Sequence, residues 1–390
     1  MTGSERLAGR LAFPMRALGD VLAVFGVRAE PRTDRKRVVL VVRLDAIGDY
    51  LLWSRFALDL AALYPAPDHW RVLVANATWA PLARSLSTFD QILEIDRARF
   101  LEDRGYRNQR LREIRRLGAE ICIQPTYSRE FLYGDAVVRA SGARERIGSQ
   151  GDLANQRGWI KAFSDRGYTR RIPADPGPRM ELDRNLEFVR GLGSRAAQPG
   201  LPVLVLGGDL PAGFERSPYY VLVPGASSAL KRWPLERFAE LARRLHQRTG
   251  LRGVVCGGPA ERELGERLVI QASVPLESWA GRTSLDDTCR IVRDARLVVT
   301  NDTSAVHIAA ALSVPAVCVV GGGHFGRFVP YPPLPGARVP AAVFHRMECF
   351  GCNWRCIYHP APGEPAPCIT GVTVEAVWEQ VESILATVRA

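Results

Sequence analysis

Four short apolar segments of the chain each end in a cluster of small or acidic residues, and each is followed by a helix-like stretch. They occupy residues 38–49, 220–228, 253–258 and 297–304. A short uninterrupted apolar run is typical of a strand buried on both faces, and such strands form parallel sheets. Ligands of these sheets bind at the carboxyl ends of the strands, beside helix N-termini. One segment is early and three are late, which predicts two half-molecules facing each other across a cleft.

The same alternation of strand and helix patterns continues between these segments, as expected for open parallel sheets covered by helices. Predicted strands lie at residues 38–44, 71–75, 92–95, 121–123, 219–223, 254–256, 297–300 and 316–320. Predicted helices lie at residues 48–64, 108–117, 128–140, 180–191, 235–248, 284–292, 304–312 and 374–388. Residues 148–180 are rich in Gly, Arg and Pro and predict an irregular loop, a type of segment that is often functional.

The length of 390 residues exceeds what one hydrophobic core usually serves, so two domains are expected. Gly and Pro cluster over residues 193–218, where we place the linker. The predicted segments are a basic extension (1–36), a first Rossmann-like domain (37–192), the linker (193–218), a second Rossmann-like domain with the cysteine cluster (219–372) and a terminal helix (373–390).

The composition is that of a soluble globular protein, with 47% hydrophobic and 24% charged residues. No apolar stretch is long enough to span a bilayer, and Arg10, Pro14, Arg16 and Asp20 interrupt any signal-peptide pattern. A cytoplasmic location is therefore expected. The net charge of +11 fits nucleic acid, anionic lipid or phosphorylated ligands. No dense basic run is interleaved with aromatic residues, so we expect no nucleic-acid partner.

The first 37 residues hold eight Lys or Arg and four Asp or Glu, with helix-like apolar spacing from Leu7 to Phe25. This pattern fits an interfacial helix on the anionic inner membrane. It fits equally a helix packed on the body of the protein, or a frayed extension. Pro14 argues against one long helix.

Asp49 follows Gly48 after the first predicted strand and opens a helix. Gly48 permits backbone shapes closed to other residues, and a carboxylate on this turn would point out of the sheet. The alternative is that Asp49 merely caps the helix, a role that Asp45 could also fill. A carboxylate that points into a ligand site can serve as a general base, which makes Asp49 a candidate catalytic residue.

Residues 224–231 combine small residues, the hydroxyls of Ser227 and Ser228, and Lys231. Free N–H groups and hydroxyls at a strand end suit a phosphate, and a lysine adds charge where a nucleoside diphosphate leaves. The GxxxxGK[ST] spacing is absent, so this is not a Walker loop. The alternative is an ordinary loop with Ser228 as a cap and Lys231 in solvent.

The segment from Asp302 through Thr303 and Ser304 opens another helix and could bind the same diphosphate. His307 shares a face with Thr303 because they are four residues apart in a helix. His307 either contacts the diphosphate ligand or is a buried, hydrogen-bonded residue. Asp302 either binds that ligand or caps the helix. After the predicted strand at residues 254–256, Glu261 follows Gly257 and Gly258 and could bind ribose hydroxyls. Glu263 is the alternative candidate for this role.

Two sequence features bear on metal ions. No two Asp residues have D-x-D spacing, the pair that commonly holds a divalent ion on a sugar donor, so we expect no metal requirement in the chemistry and no cofactor. Four cysteines have C-x2-C-x3-C-x11-C spacing, which fits either a structural zinc or iron–sulfur site or a packed knot of reduced thiols. These cysteines are Cys349, Cys352, Cys356 and Cys368.

The motifs RLDAIGDYLL, PGASSALKRWP, GGPAE and NDTSAVHIAAALSVP, in this order, resemble glycosyltransferase family 9, the ADP-heptose:lipopolysaccharide heptosyltransferase group. The resemblance covers about residues 37–381. It implies a GT-B architecture, in which two Rossmann-like domains face each other across a cleft. It also implies a catalytic base at Asp49, donor-phosphate binding at Lys231 and ribose binding at Glu261. Members of the family commonly have Gly where this chain has Ser304.

The resemblance predicts an inverting, metal-independent transfer of a sugar, with ADP-heptose the favoured donor, to a lipopolysaccharide-core-like or other surface-glycan acceptor. In this family the N-terminal half handles the acceptor, so the basic loop at residues 148–180 could meet acceptor phosphates. Three alternatives stay open: a nucleotide-sugar-binding protein without transfer activity, another GT-B enzyme such as a sugar epimerase, and a basic surface-binding module. The sequence leaves the nucleotide base, the acceptor and the oligomeric state undetermined.

Overall fold

The structure is a computed structural model and describes residues 15–34 and 36–388. The chain divides into two compact units. The first comprises Met1–Tyr50, Phe56–Gly177 and Asp183–Gln198, and the second comprises Leu51–Arg55, Pro178–Leu182 and Pro199–Ala390. The domain and linker bounds expected from the sequence remain a prediction.

The first unit is built on a sheet of six parallel strands in the order β3-β2-β1-β4-β5-β6. Val39 at its centre pairs with Arg71 of β2 on one side and Ile121 of β4 on the other. The strands are β1 Arg37–Arg43, β2 His69–Asn76, β3 Gln91–Ile95, β4 Ile121–Gln124, β5 Glu145–Ser149 and β6 Arg170–Ile172.

Helices alternate with these strands. The described part of helix α1 covers residues 15–24. It is followed by α2 Ile47–Leu63, α3 Ala80–Ser85, α4 Arg97–Glu102, α5 Arg104–Arg116, α6 Gly134–Ser141, α7 Gly158–Asp165 and α8 Glu181–Leu192. The Asp103 carboxylate caps α5 by accepting a hydrogen bond from Tyr106 N, which satisfies an otherwise unpaired N–H group of the first turn.

The second unit repeats the topology with six parallel strands in the order β12-β11-β10-β7-β8-β9. The strands are β7 Tyr219–Val223, β8 Arg252–Val255, β9 Leu276–Ser278, β10 Val298–Asn301, β11 Ala316–Val319 and β12 Ala341–Val343. The helices are α9 Leu235–Thr249, α10 Arg262–Ala272, α11 Leu285–Arg293, α12 Ser304–Ala311, α13 Pro367–Thr370 and α14 Val374–Val388, with single 3-10 turns at Ala229–Lys231 and Pro259–Glu261.

The central strands explain why the apolar runs were visible in the sequence. Strand β7 is buried along its whole length, and β1 is buried after its first residue. Helices cover both faces of such a strand, so every side chain must be compatible with the core. Helix α9 shows the complementary pattern, burying one stripe that includes Phe238, Leu241 and Leu245. It ends at Gly250, whose φ of 68° is the left-handed conformation that glycine adopts easily. The expected fold of two parallel-sheet, Rossmann-like units, the kind that make up the GT-B fold, is confirmed.

The expectation of an irregular loop over residues 148–180 is wrong in part. This stretch contains the end of β5, helix α7 and strand β6. Helix α7 buries Ile160 and Ser164 but leaves Trp159 and Phe163 about half exposed, which blurs its apolar periodicity. Strand β6 has only three residues, two of them exposed arginines, so it carries no apolar run. The helix expected from residue 128 begins only at Gly134.

In each sheet the strand order reverses direction at one point, between β1 and β4 in the first unit and between β7 and β10 in the second. The helices that follow neighbouring strands leave on opposite faces there, which opens a crevice at the carboxyl ends of the strands. None of the described helices combines the length and apolar character that a membrane crossing requires.

Candidate functional site

The first candidate site lies where β1 ends, at the point where the first sheet reverses. Helix α2 begins at Ile47 with Ala46 as its N-cap residue, and no side chain caps it. Asp49 is half-buried in the first turn of that helix, where the helix dipole favours a negative charge. The N-cap position is therefore occupied by Ala46 rather than by Asp45 or Asp49. Gly48 does not use a backbone shape closed to other residues, because it is an ordinary helical residue of the same turn.

Asp45 organises this turn. Its carboxylate lies 3.0 Å from the buried guanidinium of Arg43 and accepts a hydrogen bond from the Thr126 hydroxyl, which follows β4. Its carbonyl oxygen accepts hydrogen bonds from Asn76 and Trp79. These contacts link the ends of β1, β2 and β4, so the backbone that carries Asp49 is held by three strands.

The Arg97–Glu130 pair is a feature of this edge that the sequence reading missed. The Arg97 guanidinium donates two hydrogen bonds to the Glu130 carboxylate, at 2.9 and 3.1 Å, and a third to the carbonyl of Leu44 beside Asp45. Burial acts to lower the pKa of Arg97, but the hydrogen bonds and charge of the Glu130 carboxylate outweigh it together with other nearby groups, so the pKa is raised and the charged form is favoured. Both side chains are about one-third exposed and lie at strand ends. The available signal was that Arg97 comes two residues after the apolar strand β3.

The second candidate site lies at the reversal point of the second sheet, where β7 and β10 end. Lys231 Nζ is 3.4 Å from the Asp302 carboxylate, and the two side chains are only 14% and 7% exposed. A lysine was expected in residues 224–231, called the phosphate loop here, and an acidic residue was expected after β10. In the structure these two residues, Lys231 and Asp302, form one ion pair. Lys231 is not the solvated residue of the alternative interpretation. The Ser228 hydroxyl caps the 3-10 turn by accepting from Leu230 N, while Ser227 is exposed.

Asn301 joins the two strand ends and was not among the expected site residues. Its amide nitrogen donates to the carbonyls of Pro224 and Gly225, and its amide oxygen accepts from Trp233 N. The side chain is fully buried. A polar residue that closes an apolar strand was the signal in the sequence. Asn301 fixes the phosphate loop to the strand that carries Asp302.

Helix α12 starts immediately after this strand. Thr303 is its N-cap residue, with its hydroxyl accepting from Ala305 N, and Ser304 is its first helical residue. The position of Thr303 assigns the cap to it rather than to Asp302. Ala305 N and Val306 N already donate to Thr303, so Ser304 N is the first-turn N–H group of this helix that suits an anion.

His307 lies on the buried side of α12. Its Nδ1 atom shares a 2.7 Å hydrogen bond with the Tyr331 hydroxyl, and the ring is 3% exposed. Burial lowers the pKa of His307 to about 4, helped by the charge of Lys231 and opposed by Asp302. The ring is therefore neutral at neutral pH. His307 is therefore buried and hydrogen-bonded, as one of the two alternatives expected. Contact of His307 with a nucleotide-sugar ligand stays a prediction.

Glu261 lies against the phosphate loop, whereas Glu263 is an exposed residue of helix α10. The Glu261 carboxylate accepts a 2.7 Å hydrogen bond from Gly258 N. A Cβ atom on Gly225 would overlap this carboxylate at 1.7 Å, so the absence of a side chain there makes the close approach possible. Its role toward a ribose remains a prediction.

The four cysteines of the C-terminal motif are free thiols. Cys368 is buried and the other three are partly exposed. Within residues 15–34 and 36–388, no three His, Cys, Asp or Glu side chains are grouped so that they could hold a metal ion. A structural metal site at Cys349, Cys352, Cys356 and Cys368 stays a prediction.

Residues 197–337, which carry the Lys231, Glu261 and Asp302 positions, match the family model of glycosyltransferase family 9 (heptosyltransferase). This segment, about a third of the chain, is thus similar to glycosyltransferase family 9. The resemblance noted from the motifs is thereby confirmed. Asp49 and the four C-terminal cysteines lie outside the matched segment.

Curated relatives carry the same family name. Lipopolysaccharide heptosyltransferase 2 of Escherichia coli K12 is 34% identical over 103 residues, which are 25% of this chain and 29% of that protein. Lipopolysaccharide heptosyltransferase 1 of Pseudomonas aeruginosa is 28% identical over 179 residues, 43% of this chain and 48% of that protein. The matched segments thus span between about a third and a half of these relatives.

Solved structures share the fold over most of the chain. A family 9 glycosyltransferase from Veillonella parvula DSM 2008 has a TM-score of 0.67 at 18% identity, covering 91% of this chain and 99% of that one. E. coli ADP-heptose LPS heptosyltransferase II has a TM-score of 0.65 at 17% identity, covering 91% and 100%. E. coli heptosyltransferase WaaC with ADP has a TM-score of 0.65 at 19% identity, covering 89% and 99%. At these identities the likeness concerns the fold.

Proposed function

We propose that this protein is a heptosyltransferase that moves a heptose from ADP-heptose to a lipopolysaccharide-core-like acceptor. The observation that carries the proposal is the Lys231–Asp302 pair beside the start of helix α12, at the reversal point of a sheet within a family 9 segment. Relatives named as lipopolysaccharide heptosyltransferases support the reaction. A neighbour of the same fold that was solved with ADP-2-deoxy-2-fluoro heptose supports the donor.

The donor diphosphate binds to Lys231 and to the N–H groups that begin α12. Lys231 supplies the positive charge, and Ser227, Ser228, Thr303 and Ser304 surround the phosphate oxygens with hydroxyls and N–H groups. Glu261, next to Gly225, accepts hydrogen bonds from the ribose hydroxyls. The leaving diphosphate gains negative charge in the transition state, so fixed positive groups at this point lower the barrier.

Asp49 acts as the general base. It takes the proton of the acceptor hydroxyl as that oxygen forms a bond to the anomeric carbon of the sugar. The bond from the anomeric carbon to the donor phosphate oxygen breaks at the same time, and its electron pair leaves with ADP. Attack opposite the leaving group inverts the anomeric configuration, which requires one base and no covalent intermediate.

Transfer proceeds without a divalent metal ion in this proposal, since Lys231 and the α12 N-terminus stabilise the leaving group. The lack of a D-x-D pair in the chain supports it. Transfer rates measured with added Mg²⁺ and with excess EDTA should agree within about twofold. A loss of activity in EDTA that Mg²⁺ restores would contradict metal independence alone.

Helix α1 contacts an anionic membrane surface at the cytoplasmic side. One side of the helix packs on the first unit through Asp20, whose carboxylate forms a buried ion pair with Arg107. The other side exposes Leu18 and Leu22, and Phe25, directly after the helix, has 83% of its surface in solvent. Exposed leucine and phenylalanine on one helix face suit the lipid headgroup boundary, and basic residues add attraction to anionic lipids.

Vesicle flotation tests this contact. The double variant Leu18→Glu/Leu22→Glu should lose binding to vesicles that contain anionic lipid. Ile270→Glu is the matched control, because Ile270 is an equally exposed apolar residue on helix α10. Equal flotation of the double variant and the control would contradict membrane contact through α1.

The main experiment separates transfer from the three rival functions. ADP-heptose binding by calorimetry and heptosyl transfer are measured for the parent protein and for Lys231→Ala, Arg232→Ala and Asp49→Asn. We expect Lys231→Ala to weaken binding about 10- to 100-fold, since it removes one charge-assisted contact. Arg232→Ala is the control, being an exposed neighbouring cation. Asp49→Asn should keep binding and lose transfer by at least about 100-fold.

The outcomes point to different functions. Donor binding without any acceptor modification, unchanged in Asp49→Asn, would indicate a binding protein. Conversion of the donor sugar without an acceptor would indicate an epimerase. Failure of a folded protein to bind any ADP, GDP or UDP sugar would overturn the proposal and favour a basic surface-binding module.

A further inference from the structure

Residues 349–356, called the C-terminal loop here, dock on the turn that follows strand β11. Gly351 N donates to the carbonyl of Gly322 at 2.8 Å, and Asn353 N donates to that of Gly323 at 3.0 Å. A Cβ atom on Gly323 would lie 2.4 Å from the indole ring of Trp354. The indole therefore packs directly on the backbone of the turn, at a position where only glycine fits. The two hydrogen bonds hold the C-terminal loop against the rest of the second unit.

Docking brings Trp354 to Lys231. Lys231 Nζ lies 5.0 Å from the centroid of the indole ring, a distance at which an ammonium is attracted to an aromatic face. The same atom is 3.4 Å from the Asp302 carboxylate. Trp354 and Asp302 thus contact the one cation that the proposed function assigns to the diphosphate.

His324 also packs against the indole. Its ring packs edge-on against Trp354, with centroids 6.2 Å apart, and its Nε2 atom is hydrogen-bonded to the Asn353 side chain. The charge of Lys231 contributes to the lowered pKa of His324, although burial is the larger cause. His324, Trp354 and Lys231 therefore form one cluster.

The backbone of the loop is strained where it carries this cluster. Asn353 and Trp354 have φ values of 50° and 58°, in the left-handed region that bulky side chains rarely occupy. The indole Nε1 atom is buried and has no hydrogen-bond partner among the described residues. Strain and an unsatisfied donor in one residue are uncommon away from functional sites.

We propose that Trp354 is a positioning residue of the donor site, which holds the Lys231 ammonium in place for a nucleoside diphosphate. The inference rests on the proposed function of Lys231 and extends the donor site to a loop outside the matched family segment. An ammonium fixed between an indole face and a carboxylate samples fewer rotamers than a free lysine, so less side-chain entropy is lost when the diphosphate binds.

The test measures ADP binding by calorimetry with the full chain and four variants: Lys231→Ala, Trp354→Leu, Trp354→Phe and Tyr358→Leu. Tyr358 is the matched control, since it is an exposed aromatic residue close by in sequence. We expect Trp354→Leu to weaken ADP binding about 3- to 30-fold, the range that a cation–π contact supports. Trp354→Phe, which keeps an aromatic face, should recover most of this loss, and Tyr358→Leu should bind as the parent does.

Steady-state kinetics and melting temperatures separate positioning from folding. The KM for the donor should rise in Trp354→Leu while the KM for the acceptor stays unchanged. Equal losses in the Leu and Phe variants, accompanied by a lower melting temperature in both, would overturn the inference in favour of a packing role. Parent-like ADP binding in Trp354→Leu would also overturn it.

Two further readouts keep the test decisive. If Trp354→Leu fails to fold, the change in tryptophan emission on adding ADP is compared between the parent and Trp354→Phe. A change that is reduced in Trp354→Phe supports the inference, and an identical change overturns it. Loss of binding in Lys231→Ala alone would leave the proposed function standing without this inference, whereas no ADP binding by the parent would overturn both.

Discussion

Replacing His307 by asparagine is expected to remove about 2 kcal/mol of pH dependence from the free energy of unfolding. Burial lowers the pKa of His307 to about 4, from 6.5 for an exposed imidazole. The unfolded chain therefore takes up a proton below about pH 6.5, whereas the folded protein resists protonation until about pH 4. The stability linked to the neutral ring is present above the unfolded pKa and is lost as the pH falls toward the folded one.

The size of the effect follows from these two pKa values. Between about pH 7.5 and about pH 5, proton linkage gives a loss of about 2 kcal/mol for the parent protein. Asparagine can occupy the position of Nδ1 opposite the Tyr331 hydroxyl, but it does not titrate in this range. The variant is less stable at both pH values, because it loses ring packing, and only the difference between the two pH values is diagnostic.

Urea unfolding of the full chain at the two pH values, for parent and variant, measures this difference. Titration of the histidine resonances by NMR gives an independent check, because the one missing from the variant spectrum identifies His307 among the six histidines. That resonance should not move between about pH 8 and about pH 5.5. A midpoint near 6.5, or equal pH dependence in both proteins, would refute the assignment of His307 as a buried neutral residue.

Three further predictions test other parts of the structure. Gly225→Ala should weaken ADP binding with little loss of stability, because its Cβ atom would overlap the flexible end of Glu261; calorimetry showing parent-like affinity would contradict a ribose contact by Glu261. Asp20→Asn should cost about 3 kcal/mol in unfolding by urea, since it leaves the Arg107 guanidinium buried without its carboxylate; a change below about 1 kcal/mol would show that α1 contributes little. A thiol reagent should rapidly label three of the eight cysteines of the folded protein, and fast labelling of more would contradict the burial of Cys122, Cys256, Cys289, Cys318 and Cys368.

Much of the fold was predictable because its strands are buried on both faces. Strand β7 was predicted at its observed bounds, and helix α14 likewise, since both carry an uninterrupted or regular apolar pattern. Strands β6, β9 and β12 have three residues each, too few for any periodicity to show. Helix α7 was missed because Trp159 and Phe163 are exposed apolar residues, which disrupt the pattern on which the prediction depends.

Some residues of the candidate site were predictable from local sequence, whereas others depend on contacts between distant parts of the chain. Lys231 and Asp302 were predictable because each follows a recognisable strand, but their pairing depends on β7 and β10 being neighbours in space. Asn301 and Arg97 act through contacts with distant backbone groups, which no local pattern reveals. Trp354 depends on how a loop docks, and its neighbouring cysteines drew attention to metal chemistry instead.

If Lys231 binds the donor diphosphate as proposed, its pairing with Asp302 has a consequence for the release of the product. Each charge already has a partner when no nucleotide is bound, so an incoming diphosphate exchanges one anion for another rather than meeting a bare cation. Part of its attraction to Lys231 is therefore offset by the separation of Asp302 from the lysine. In the proposed reaction, the same competition assists departure, because Asp302 can recapture the ammonium as ADP dissociates. An internal counter-ion of this kind lowers the affinity for the product and speeds its release.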